Sequence, residues 1–153
     1  MTFFTPSPDG PHPDPELQPE FYADVPAKRL VAWVVDTVLT VLATALIVLL
    51  TAFVGLFFLP LLYLSVAFAY RTVTIARHGA TPGMRLMAIG LRGPYGTAPT
   101  PAEAALHSGL FLAASIMVIP QVISVVMMLT GARGQSLGDV VLGTVMLNRA
   151  GRV

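Results

Sequence analysis

Two aspartates and two arginines stand where charge is least expected in this chain. Asp36 opens a stretch that runs without another formal charge through Tyr70, and Arg29 precedes it by seven residues. An unpaired aspartate at the depth of a spanning helix costs roughly 2.5–3.5 kcal/mol on insertion scales, so its carboxylate must face protein or water. A carboxylate so placed can hold a proton, exchange it for a cation, or pair with a guanidinium. On a helix seven residues advance about 700°, which brings Arg29 and Asp36 to one face about 10 Å apart along the axis. Arg71, at the far end of the uncharged stretch, is a second candidate partner. If the chain reverses near residue 54 or 55, equal depths have numbers that sum to about 108–110, which brings Arg71 level with Asp36. Asp139, three residues after Ser136 in an otherwise apolar stretch, is either a helix-capping carboxylate or a gate beside that site.

The elements that must position these side chains are apolar helices. With 153 residues, 55% of them hydrophobic and 11% charged, and a mean hydropathy of +0.75, the chain is too apolar for an ordinary soluble domain. The expected fold is an all-α membrane protein: a transmembrane helical hairpin, a third apolar helix that is kinked or re-entrant, and a short C-terminal interfacial segment. The first span is placed at about 29–53, with Trp33 one turn inside the Lys28-Arg29 flank as an interfacial aromatic. Thr40, Ala43 and Thr44 follow Asp36 at helical spacing and form a small, weakly polar stripe suited to close packing. Gly55 and Pro60 mark a turn before a second span at about 60–77.

The connection that follows is basic and carries local start signals. Thr81-Pro82 opens a short helix, Ala88 to Leu91 reads as extended, Gly93 to Gly96 as a turn, and Thr100-Pro101-Ala102-Glu103 as a capping box. The third apolar segment, about 104–130, is interrupted by Pro120-Gln121. A single kinked crossing is the favoured reading of it, with a re-entrant hairpin as the competitor. Residues 134–147 hold an apolar run too short to cross, which should lie at the interface or pack on the helices. Residues 1–26 carry seven prolines and five of the eight acids, and are expected to form a disordered cytoplasmic tail. Residues 149–153 form a short C-terminal tail after a membrane domain at 27–148. Lys28, Arg29, Arg71, Arg77, Arg85 and Arg92 all fall on one side of the hairpin, and the positive-inside rule makes that side, with the N-terminus, cytoplasmic.

Other chemistries find little support. There is no cysteine, which removes disulfides, thiolate sites and a cysteine nucleophile. His12, His78 and His107 are scattered without metal-ligand spacing, the seven methionines read as packing, and no phosphate-binding glycine loop follows a strand. No nucleophile has an adjacent base, so the chain is not expected to be an enzyme or to use a cofactor or metal. A basic patch with interleaved aromatics, as nucleic-acid binding needs, is missing.

Three stretches taken together resemble the RDD family of bacterial membrane proteins. They are Arg29 with Asp36 in the first span, Gly79-Ala80-Thr81-Pro82-Gly83-Met84-Arg85-Leu86 in the loop, and Ser136 through Thr144 near the end. The resemblance covers roughly residues 26–148. It implies that Arg29, Asp36 and Asp139 are the arginine and two aspartates for which that family is named, and that Gly79, Thr81, Gly83 and Arg85 form its loop motif. Gly138 stands where the family usually has a histidine before the second aspartate, and His107 where it commonly has a basic residue. The resemblance implies residence in the bacterial cytoplasmic membrane and transport of a small ion or ligand, with sodium/proton antiport proposed for some members. On this reading Asp36 is the cation or proton site, Arg29 or Arg71 its charge partner, and the working unit a homo-oligomer. The alternative is a non-transporting accessory protein whose acidic, proline-rich segment recruits a membrane protein partner.

Overall fold

The computed structural model describes residues 10–149. Its frame is a long helix α1 (Val25–Leu50) and a second helix α2 (Leu59–His78), joined by a turn that includes a 3-10 segment at Val54–Phe58. Proline at the start of each, Pro26 and Pro60, suits a position whose N–H has no helical partner. Together with their lead-in turns, these are, among the described residues, the two helices long and apolar enough to cross a membrane. Leu42, Leu46, Leu50, Phe57 and Leu61 lie exposed on their outer surfaces, as lipid-facing side chains do. Along α1 the inward stripe is Ala32, Asp36, Thr40, Thr44 and Val48, one residue every fourth position. Thr40 and Thr44 donate their hydroxyls to the carbonyls of Asp36 and Thr40, while Ala43, expected in this stripe, faces outward.

Gly79, in the left-handed conformation, ends α2. The short helix α3 (Pro82–Leu86) follows, N-capped by Thr81, and then strand β1 (Ile89–Arg92). Helix α4 (Pro101–Ile116) starts at the Thr100/Glu103 capping box, and α5 (Val118–Thr130) follows after a single extended residue, Met117. The two axes are bent by 114°. At about 24 Å and 20 Å, neither covers a hydrocarbon core of roughly 30 Å alone.

By length and composition the bent pair fits a broken span as well as the re-entrant competitor, and the elements that follow favour the competitor. Helix α6 (Leu137–Leu142) packs on α4, and strand β2 (Val145–Asn148) pairs antiparallel with β1, Ile89 opposite Asn148 and Arg92 opposite Val145. A chain that had crossed could not lay β2 beside β1, which belongs to the connection between α2 and α4. The break also falls at Met117 rather than at Pro120, which lies in the first turn of α5, where its missing N–H breaks no helical bond. The expected interfacial segment is thus α6 and β2, folded into the protein.

The main apolar core sits at this same end of the molecule. Val25, Ala32, Ile75, Ala80, Met84, Ile89, Leu91, Ala104 and Met146 bury one another there. The N-terminal segment differs from the expected tail as well. Residues 1–9 lie outside the described residues, as do 150–153, but 10–24 pack against the sheet. Tyr22 is buried with Val145 and Leu147 and donates its hydroxyl to the carbonyl of Pro13 at 2.8 Å; Asn148 donates to the carbonyls of Glu20 and Ala23. The Tyr22 anchor, with Phe21 packed beside it, and borrowed backbone bonds supply what composition alone did not show.

Candidate functional site

The loop motif is built to reach Asp36. Thr81 must cap α3, and its hydroxyl oxygen accepts from the Met84 N–H at 3.2 Å. The same hydroxyl donates its proton to Asp36 Oδ2 at 2.5 Å, while the Gly83 N–H donates to Oδ1 at 2.9 Å. Only glycine fits at 83. A Cβ there would lie 2.4 Å from the Ala32 carbonyl oxygen and 2.8 Å from Asp36 Oδ1. The absent side chain lets α3 lie directly on α1. From α2, the Tyr70 hydroxyl donates to Oδ1 at 2.7 Å. Three short donors converge on one buried carboxylate, so Asp36 is held as an acceptor on every side.

Arg71 completes this group less tightly. Its Nη1 is 3.9 Å from Asp36 Oδ2, and the guanidinium lies over the ring of Phe111 with 3.8 Å to the centroid. The side chain is 7% exposed, so it does not snorkel to the membrane surface.

Asp139 heads a second group. The capping box of α6 is reciprocal: Ser136 N–H donates to Oδ2 at 2.9 Å, and the Asp139 N–H donates to Ser136 Oγ at 3.3 Å. Arg29 Nη1 donates to the same Oδ2 at 2.6 Å and to the Gly134 carbonyl at 3.3 Å, and Thr144 Oγ1 donates to Oδ1 at 3.2 Å. His107 Nδ1 is 3.4 Å from Oδ1 without hydrogen-bond alignment. Burial by itself would push the Asp139 carboxyl up, but the Arg29 guanidinium and the bond from Ser136 outweigh it and hold the group at about 2, below its ordinary 3.8. Asp139 is thus both cap and counter-ion.

Between the two groups lies a cavity of about 360 Å³ bounded by α1, α4 and α5, with residues of α2, α3 and α6 closing its inner end. Arg29, Asp36, Arg71, His107, Gln121 and Ser124 contribute the polar part of its wall; most of the remainder is apolar. The volume falls within the range of about 300–1,000 Å³ usual for small-ligand sites. No group of three or more His, Asp or Glu side chains suited to a metal ion occurs among the described residues.

Each sequence-chosen residue can now be placed. Asp36 and Arg71 face one another across the hairpin, and Gly79, Thr81 and Gly83 shape the loop that meets Asp36. Arg29 lines the same cavity as Asp36 but spends its charge on Asp139. Arg85 is exposed and takes no part. Tyr70, Phe111 and Thr144 were not anticipated. His107, Phe111 and Ala114 fall at i, i+4 and i+7 on α4, so their shared face was readable, although nothing marked that face as the inner one.

No curated protein matches the chain. The RDD family model matches residues 24–143, which takes in both aspartates, Arg29 and the loop between them. That match covers most of the length, and with the apolar helices it establishes that this chain is a membrane protein belonging to the RDD family.

Proposed function

We propose that the protein moves a small ion or ligand across the bacterial cytoplasmic membrane, with the cavity between α1, α4 and α5 as its binding site. One observation carries the reading: Asp36 and Arg71, buried within the two candidate spans, both lie on the wall of that cavity. Of the two forms this transport can take, a ligand has more support than a cation. The oxygens of Asp36 already receive three donors, which leaves little lone-pair capacity for a metal ion, whereas the cavity wall carries a guanidinium. Exchange of a proton for a monovalent cation at Asp36 is the other form.

Two crossing helices and a bent pair enclose little volume, so a continuous path forms more easily between protomers of a homo-oligomer. The arginines at the α3 end support a multi-pass reading in which that end, with the N-terminus, faces the cytoplasm. The chemistry is binding and translocation rather than catalysis. An accessory role through the N-terminal segment has less support, because residues 10–24 are engaged by the protein itself.

Proteoliposomes test the proposal. Wild-type protein should couple movement of a cation or of an organic solute to a proton gradient or membrane potential. Asp36→Asn, matched for insertion and assembly, should lose at least 90% of the signal. Equal transport in both proteins rules out the role given to Asp36, and silence in both across cations and organic solutes rules out transport.

A further inference from the structure

The Arg71 guanidinium carries five N–H donors and is buried, yet among the described residues it donates no hydrogen bond. Its one ion-pair contact, at 3.9 Å to Asp36, is beyond hydrogen-bond reach, and Nε has no acceptor. Asp36 has turned to Tyr70, Thr81 and Gly83 instead. The ring of Phe111 covers one face of the guanidinium. A planar fork of donors stacked on an aromatic, hydrogen-bonded to no protein acceptor and paired with Asp36 only at 3.9 Å, has the chemistry to receive a planar or tetrahedral oxyanion.

The rest of the cavity describes what that anion is attached to. Leu30, Trp33, Leu110, Phe111, Met128 and Leu129 line it, a wall suited to hydrocarbon. Three of these, Leu30, Trp33 and Leu129, are also 63%, 47% and 71% exposed, so the mouth lies on the outer apolar surface of the helices. Access is from the lipid side. Arg71 lies seven residues, or about 10 Å, before the end of α2 at His78.

We infer that the cavity binds a membrane-borne, single-chain amphiphile carrying one oxyanion, its head on Arg71 and its chain along α1 and α5. A carboxylate and a phosphate monoester share that chemistry. The inference rests on the reading of this cavity as the working site and names its ligand class.

Trp33, the single tryptophan, lines the cavity and serves as reporter. The full chain in maltoside micelles is titrated with dibrominated stearate, with the matching brominated phosphate monoester and with the brominated alcohol. A saturable quenching of Trp33 by at least one of the two anions, with only linear partitioning for the alcohol, is the expected result; the stronger anion identifies the head group. Arg71→Gln should raise the half-saturating concentration about tenfold or more. Ala114→Phe, which fills the cavity and leaves every charge in place, should remove the saturable component, so the inference stays testable if the arginine variant does not fold. Equal quenching by the alcohol, no change in Arg71→Gln, saturation surviving in Ala114→Phe, or full relief by millimolar acetate or inorganic phosphate would each overturn it. Loss of amphiphile binding with transport intact removes this inference alone; loss of both removes the cavity as the site.

Discussion

At the scale of single residues, the two family aspartates are not equivalent. Asp36 is satisfied by neutral donors, whereas Asp139 is bound to a guanidinium and to its own helix cap. Asp139→Asn keeps a side chain that can cap α6 but leaves Arg29 without its counter-ion. Breaking a buried pair from one side costs about 3–5 kcal/mol, and the lower end applies because Arg29 keeps its bond to the Gly134 carbonyl. Thermal unfolding in detergent at neutral pH should show this as a lowered midpoint. The pH dependence has a definite sign. The folded carboxyl lies below its unfolded value, so its contribution is complete above about pH 4 and is lost as pH falls toward about 2. The variant should lack that part of the acid transition. If its unfolding curves match wild type at both pH values, the ion pair adds nothing to stability.

At the scale of elements, the tightest fit is α3 on α1. Gly83→Ala places a methyl carbon against the Ala32 carbonyl and the Asp36 carboxylate at distances no side chain tolerates, so α3 must lift and withdraw two of the three donors to Asp36. A loss of about 2–4 kcal/mol is expected, with faster hydrogen exchange in residues 80–87 as the direct measure. Unchanged exchange there would show that the contact yields at no cost. Local start signals made most elements legible in sequence: Thr81-Pro82, the Thr100/Glu103 box and Ser136/Asp139 each cap the helix expected of them. The partner of Arg29 was not legible, because helical periodicity says which face a side chain is on and not what distant segment covers that face. The packing of residues 10–24 was hidden for a related reason: proline-rich, acidic composition describes a segment's own preferences, and Tyr22 finds its apolar neighbours more than a hundred residues away.

At the scale of the whole molecule, the bend between α4 and α5 decides which side everything after it occupies. The wild-type chain has no cysteine, so single cysteines report topology cleanly. Cysteine at Phe57 should react with an impermeant maleimide from one side of oriented vesicles. Cysteines at Tyr95 and Val141 should both react from the other, all three positions being exposed. Labelling of the Val141 variant from the Phe57 side would mean that α4 and α5 cross together as one span. The hairpin itself was legible, since its length and its uncharged turn follow from composition. The return of the chain was legible only as the competing reading, because Pro120 drew attention to the wrong residue and strands of four residues leave little periodic signal.

The pairing of Arg29 with Asp139 joins positions 110 residues apart. During synthesis, then, the first helix enters the bilayer long before its counter-charge has been made, and Arg29 has to wait in the interfacial region beside lipid phosphates. The ring of contacts that seals the molecule, Arg29 to Asp139, Lys28 to Asn148 and β1 to β2, closes only when the last described segment has left the ribosome. Completion of the site thus doubles as a test of chain integrity: a copy truncated before Ser136 lacks Asp139 and leaves the Arg29 guanidinium without its counter-ion.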